Sequence, residues 1–435
     1  VNVYGNGAAL SPLDRGFLFR LQCQALQYFI DNQAANGLML DRQGNHGPRK
    51  PHGLCSTSAT GMGFMALALA SAPPYRLLSP QAAAERIQAG VRTFFDSLPH
   101  DRGVVPHFTD SATNAVRGAD CFSTIETAWL LVGALWSAAF LGHKELTLLA
   151  AQLYARVDWR YWTAPEETDA SGLLRHGKGR DGRFLTYSWD RLNGETAFMY
   201  VLAAGASEDR AIGAASWAAL RPFYGTVAGL RFNNADLGLF VFQYGLDLLD
   251  LEHWRTPGEV DLRAEARLAT QANRLSCRQA SAQFATYRHY WGLSAGDGPG
   301  EPPRSDTYRS YAPAGPIDGT AHLTATLASV AQDSGAVLEN LREAQHDRQL
   351  PARGRYGFSN VNLDRGWVSR DMVGIDMGAA VLALDNFLMN HRIRTTFHGL
   401  DCVSRGLQRL GFTSIADSPF QKDESEQPTV VRQAS

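Results

Sequence analysis

Along most of the chain, apolar residues recur at three- and four-residue spacing, the period of an amphipathic helix. Phe17, Leu18, Leu21, Ala25, Leu26 and Phe29 place one apolar stripe on a helix over residues 16–32, and Gly37 marks its exit. A second helix over 56–70 is rich in Ala, Gly and Met, small enough for neighbouring helices to pack closely. A third opens at Ser79, a good N-cap, with Pro80 at the first helical position, where its missing N–H costs nothing. The same pattern predicts helices over 123–141, 144–157, 194–203, 211–223, 236–248, 257–274, 319–332, 336–346, 378–390 and 399–410. Strand signals are short and scattered ("GVVPHFT", "RFLTYSW", "YGFSNVNL"), and no βαβ alternation supports a parallel sheet. About a dozen helices without a fixed repeat predict an all-α fold, a closed toroid of paired helices with long aromatic-rich loops at one end.

The expected organisation is an extension over 1–15, a single barrel over 16–412 and a polar tail over 413–435, disordered from about Lys422. The "GMGFM" stretch, Gly61 to Met65, reads as a helix-packing segment, because no strand precedes it and the third glycine of a dinucleotide fingerprint is missing. The apolar run 128–141 is shorter than a bilayer-spanning helix needs and reads as a core helix. Forty-one basic against 43 acidic residues leave a formal charge of −2, which offers no long-range attraction to nucleic acid or an anionic membrane. Cys23, Cys55, Cys121, Cys277 and Cys402 lie too far apart for a zinc knuckle and read as free thiols. The 12 histidines form no metal pattern, and His107, His289 and His322 read as loop hydrogen-bonders. No metal or cofactor is expected, and the chain is expected to be a monomer or weak oligomer. "VNVYGNG" at the start has neither an initiator Met nor the regions of a signal peptide.

Two glutamates stand out. Ser123-Thr124-Ile125-Glu126 fits a capping box, in which Glu126 would fold back on the Ser123 amide. Glu195 follows a loop directly and opens another apolar helix, where the helix dipole also favours an acid. Each has this structural reading, yet the two could face one another across a cleft at the mouth of the toroid. Around them, Trp159, Trp162, Tyr187, Trp189, Tyr287, Tyr290, Trp291, Tyr356 and Trp367 fall in or beside loops, interleaved with Asp, Asn, Arg and His. Such a lining suits a sugar ring, with its apolar C–H face and hydroxyl rim. Glycoside hydrolysis needs two carboxyl groups, which Glu126 and Glu195 supply, while Asp120, Asp190, Asp318 and Asp376 could bind hydroxyls or tune the acid.

Eight collinear stretches carry a resemblance: "GLMLDRQ" (37–43), "CSTSATGMGFMALAL" (55–69), "FSTIETAWLLVGAL" (122–135), "WDRLNGETAFMYVLA" (189–203), "YWGLSAGDGP" (290–299), "DGTAHLTATLAS" (318–329), "GRYGFSNVNLD" (354–364) and "VGIDMGAAVLALDNF" (373–387). As a set, over about residues 15–412, they resemble the bacterial glucoamylase-like family, which includes β-1,2-glucanases and the cyclisation domain of cyclic β-1,2-glucan synthases. The resemblance implies an (α/α)6 barrel acting on β-glucan, most typically through the β-1,2 linkage. It matches Glu195 to a general acid and Glu126 to a general base, or to a nucleophile in a retaining transglycosylase. It also matches Asp120, Trp189, Trp291, Asp376 and Asn386 to positions lining the sugar sites. A periplasmic or extracellular setting is implied through secreted members. The alternatives are a transglycosylase that transfers or cyclises glucan and a non-catalytic carbohydrate-binding barrel whose acids are only caps.

Overall fold

A computed structural model describes residues 10–301, 305–347 and 350–415. Its helices are α1 (Pro12–Asp31), α2 (Thr57–Ser71), α3 (Pro80–Arg92), α4 (Thr124–Leu141), α5 (Lys144–Ala155), α6 (Gly194–Ala204), α7 (Ala214–Ala218), α8 (Leu262–Gln279), α9 (Thr286–His289), α10 (Leu323–Ala328), α11 (Ser334–His346), α12 (Gly374–Leu388), α13 (Arg392–His398) and α14 (Asp401–Leu410). The inner wall runs from α2 to α4, α6, the turn Leu239–Phe242, α10 and α12, and α12 packs back on α2 to close the ring. Outside it lie α1, α3, α5, α8 and α11, and α14 takes the outer position against α6. This is the (α/α)6 toroid that the helix pattern and the resemblance predict.

Burial separates the two rings. Every residue of α2 is buried, and so is every residue of α6 except Glu195. Such helices are apolar all round because they meet protein on every side. The outer α8 and α11 are amphipathic and bury one stripe. α4 is long and apolar enough to cross a bilayer, but with 78% of it buried it is a core helix of the barrel. All five cysteines are free, three of them buried.

Local chemistry explains most helix starts. Ser56 and Ser79 accept the amides of Ala59 and Ala82, as N-caps should. α1 starts earlier than expected, because Ser11 caps it and Pro12 occupies its first position. α8 starts later than expected because Asp261, and not a residue near Pro257, caps it. Gly37 sits in a left-handed turn beyond α1, whose C-cap is Asn32.

Three predicted helices are much reduced, the one over 319–332 to α10 alone. Over 211–223 only α7 forms, and Pro222 turns the chain out of helical geometry so that Arg221 bridges Arg191. Over 236–248 the chain makes one short turn, Leu239–Phe242, and Gly245 at φ +75° interrupts any continuation. The "RFLTYSW" segment makes isolated bridges instead of a strand. The expected disorder from Lys422 lies outside the described residues.

Short antiparallel pairs set the entry to the inner helices. Leu54–Ser56 pairs with Phe108–Asp110 just before α2, Asp120–Ser123 with Gly177–Gly179 just before α4, and Arg42–Gly44 with Asp371–Val373 just before α12. The tightest crossing in the inner wall is α2 against α4. A Cβ at Gly61 would lie 2.1 Å from the Trp129 carbonyl oxygen, and one at Gly133 would lie 2.1 Å from the Gly61 carbonyl oxygen. Packing therefore explains the glycines of "GMGFM". Gly61→Ala should destabilise the fold by about 2 kcal/mol, since overpacking against backbone outweighs the roughly 1 kcal/mol gain in helix propensity. Urea unfolding measures it, and an equal or higher midpoint would contradict this packing.

Candidate active site

The N-terminal turns of α2, α4, α6 and α12 converge at one end of the barrel. Three of them carry an acid there: Glu126 on α4, Glu195 on α6 and Asp376 on α12. The dipoles of these helices favour negative charge at that end. Burial opposes it more strongly, and the neighbours of each acid decide the balance.

Glu126 does not fold back on its own helix. Ser123 makes no side-chain cap, and the predicted capping box is absent. Instead the Ser58 amide of α2 donates to Glu126 Oε2 at 2.7 Å, and His107 Nε2 lies 3.2 Å from Oε1. The box fails because the neighbouring helix start offers Glu126 an amide that its own N-cap does not. A reciprocal capping box forms on α6, between Asn193 and Thr196, which leaves Glu195 free. The Glu126 carboxyl is raised on balance: burial pushes it up, and His107 and the Ser58 contacts offset only part of that. Both nitrogens of His107 face carboxylates, since Nδ1 also contacts Asp120 Oδ2. Burial lowers its basicity, but Glu126, Asp120 and Asp41 outweigh it and raise the imidazole to about 9.

Among the described residues no cation acts on Glu195. Burial first, and then the negative charge of Glu126, push its carboxyl from 4.5 to about 8. The indole of Trp129 lies against it and lowers it somewhat, although the indole N–H completes no hydrogen bond among the described residues. Trp129 is held by Phe198 at 4.4 Å between ring centroids and edge-on by Tyr244 at 6.3 Å. Tyr244 donates to Asp376 Oδ1 at 2.9 Å. Asp376 is likewise raised, to about 7, by burial and by Asp297 and Asp41, against the Tyr244 bond and Arg42. Arg42 reaches both oxygens of Asp297, at 3.1 and 2.9 Å. Asp297 lies on the hairpin strand Ala295–Pro299, directly across from Tyr308 on Asp306–Ser310. Residues so paired share a face. Tyr308 is 48% exposed and lies within electrostatic reach of Asp376, Asp41, Asp297 and Glu195.

Of the predicted site residues, the structure gathers Glu126, Glu195, Asp120 and Asp376 at this end. Trp189 is adjacent: its indole N–H donates to Thr124 Oγ1 at 3.0 Å, and it stacks on His176 at 3.8 Å. Asp190 is exposed within reach of His176, and Tyr187, 66% exposed, is tilted against the same imidazole, so both are on the rim. Trp367 donates to Asp306 Oδ1 at 2.9 Å and pins the hairpin that carries Tyr308. Asp318 organises its own loop, accepting from Thr320 and the Tyr311 hydroxyl.

Four expectations are corrected. Tyr356 is fully buried edge-on to Tyr28, with its hydroxyl on Asp31 at the end of α1. Tyr290 is buried with its hydroxyl on Asp347, and Trp291 is buried with its amide on Asn340 of α11, so both pin a loop to the outer ring. Asn386 lies near the opposite end of α12, where it donates to the Asp247 carbonyl. In each case loop position or motif match stood in for accessibility, which only packing decides. Trp159 and Trp162 are likewise buried. The sequence reading missed Arg42, Tyr244, Asp297 and Tyr308, and it gave His107 only a loop role. "DGP" beside "DTYRS" was the one visible signal of the hairpin.

Residues 186–399 match the family model described as "Glycoamylase: Putative glucoamylase". Glu195 and Asp376 lie within the matched region. No curated protein matches. Among solved structures, an endo-β-1,2-glucanase from Chitinophaga pinensis, in a sophorotriose and glucose complex, aligns with TM-score 0.81 and 21% identity, over 93% of this chain and 99% of that one. A protein described as a putative glucoamylase from Bacteroides uniformis aligns with TM-score 0.79 and 22% identity, over 94% and 99%. A β-1,2-glucanase from Parabacteroides distasonis aligns with TM-score 0.78 and 19% identity, over 93% of this chain and 61% of that one. At these identities the likeness establishes the fold.

Holding Glu195 at about 8 against an ordinary 4.5 means that, between those values, the folded chain keeps a proton that the unfolded chain has released. The stability contributed by this site is present at low pH and is lost as pH rises through that window. Glu195→Gln should therefore gain thermal stability relative to the parent on going from about pH 5 to about pH 9. A melting-temperature difference that stays flat over that range would contradict the raised carboxyl.

Proposed function

We propose that the protein is a glycoside hydrolase that cleaves β-glucan, specifically β-1,2-glucan or its oligosaccharides, with Glu195 as general acid and Glu126 as general base. The observation that carries this reading is the unequal environment of two carboxyl groups on adjacent inner helices. Glu195, raised to about 8 with no cation acting on it among the described residues, is protonated at neutral pH and can deliver its proton to a leaving glycosidic oxygen. Glu126 accepts from the Ser58 amide and faces His107, partners that favour its ionised form against the burial that raises it, and it is the one assigned to draw a proton from attacking water. A pair of carboxyl groups with opposed protonation states is what the reaction requires. The β-1,2 linkage is supported by the fold shared with the Chitinophaga and Parabacteroides enzymes. A carbohydrate-binding barrel with purely structural acids is disfavoured, because neither glutamate caps its helix.

A panel of linkage-defined glucans is the direct assay. Glu195→Gln and Glu126→Gln should each lower turnover on the preferred glucan by about 100-fold or more. On an aryl glycoside whose leaving group needs no proton, the Glu195 variant should recover most of its rate and the Glu126 variant should not. Near-normal activity of both variants on the natural glucan would sink the assignment, and the opposite rescue pattern would exchange the roles. Rings or new linkages formed without reducing ends would identify a transglycosylase in place of a hydrolase. Tyr308→Ala should raise KM by about 5- to 10-fold, the worth of one ring stacked on a sugar face. An unchanged KM would remove Tyr308 from the binding surface.

A further inference from the structure

His107 touches a carboxylate on each side of its ring: Asp120 Oδ2 at Nδ1 and Glu126 Oε1 at Nε2, the latter at 3.2 Å. An ionised carboxylate only accepts hydrogen bonds, whereas a neutral imidazole has one donor and one lone pair. The contact pattern is therefore complementary to a doubly protonated ring, with one N–H toward each acid. The ring is also fixed in plane, stacked on Phe108 with centroids 3.8 Å apart and 16° between planes. Its backbone is anchored as well, since the Thr57 amide at the start of α2 donates to the His107 carbonyl at 3.1 Å. The same α2 start supplies the Ser58 amide to the second oxygen of Glu126. Glu126 is thus gripped at both oxygens by groups from outside its own helix, and Ser123 has no hold on it.

We propose that His107 is a positioning residue: as a fixed imidazolium clamped between Asp120 and Glu126, it keeps Glu126 ionised and turned away from its own helix cap. This rests on Glu126 acting as the base. The ionisable groups facing the pair are Asp41, Asp120 and Glu195, with His176 beyond Asp120. Of the acids, Glu126, Asp120 and Asp41 act on His107 and hold its proton. Asp120 fixes the plane of the ring and needs no contact with sugar to affect turnover.

Two measurements test this. In the first, the ring nitrogens of His107 are followed by histidine-selective NMR in the parent and in Glu126→Gln, independently of any activity. At about pH 7 the parent should show the imidazolium pattern, and the glutamine variant should titrate lower by about one pH unit or more, the effect of one adjacent charge. A neutral ring in the parent, or no shift on substitution, would overturn the proposal. In the second, pH profiles of kcat/KM are compared for the parent and His107→Gln. The acidic limb should move up by about one unit or more while KM changes less than about 3-fold, since the lost cation acts on Glu126 and not on substrate. An unmoved acidic limb, or a large KM increase with an unmoved limb, would overturn it and make His107 a sugar contact. Should His107→Gln not fold, the first measurement still decides. If both glutamate variants remain active while the NMR result holds, the catalytic reading has failed and the clamp has not.

Discussion

The convergence of the inner-helix N-termini is the constraint on which the site depends. α2 and α4 approach so closely at Gly61 and Gly133 that backbone meets backbone. That contact brings the Ser58 amide within 2.7 Å of Glu126, a residue 68 positions further along the chain. A wider crossing would leave Glu126 to cap its own helix, as its local sequence favours. The barrel wall therefore determines the chemistry of the carboxyl group as well as its location.

Once the acids share one desolvated end, electrostatics divides their roles. Every carboxyl there is penalised by burial, and the difference lies in what each is given in return. Glu126 receives an imidazole and an amide, Asp376 a phenol, and Asp297 a guanidinium that meets both its oxygens. Among the described residues Glu195 receives only an indole whose N–H completes no bond, and burial with the Glu126 charge raises it to about 8. Unequal environments follow from unequal partners, with no special residue type required.

The loops frame this end in layers. Short antiparallel pairs run into α2, α4 and α12 and fix where each helix begins. The hairpin of Ala295–Pro299 and Asp306–Ser310 adds Asp297 and Tyr308 from the opposite side, and Trp367 ties it down. Aromatic residues in loops thus have two fates. Tyr187, Trp189 and Tyr308 keep a face toward solvent or the cleft, whereas Tyr290, Trp291 and Tyr356 fasten loops to helices.

Local signals by themselves determined much of this protein. Periodicity and caps such as Ser56 and Ser79–Pro80 specify where helices lie, and the small residues of α2 announce a close crossing. The placement of Glu126 and Glu195 after loops and inside apolar helices was also visible, because burial all round and an acid in the first turn are both local patterns. Tertiary structure alone decided whose amide Glu126 accepts, since Ser58 and Ser123 are equally plausible donors until the crossing is known. It alone joined His107 to two acids, paired Arg42 with Asp297 across 255 positions, and brought Tyr308 within electrostatic reach of Glu195. It also buried Tyr356 and sent Asn386 toward the far end of α12. The physical reason is that accessibility and charge environment are set by residues distant in sequence, whereas helix starts and apolar faces are set by neighbours.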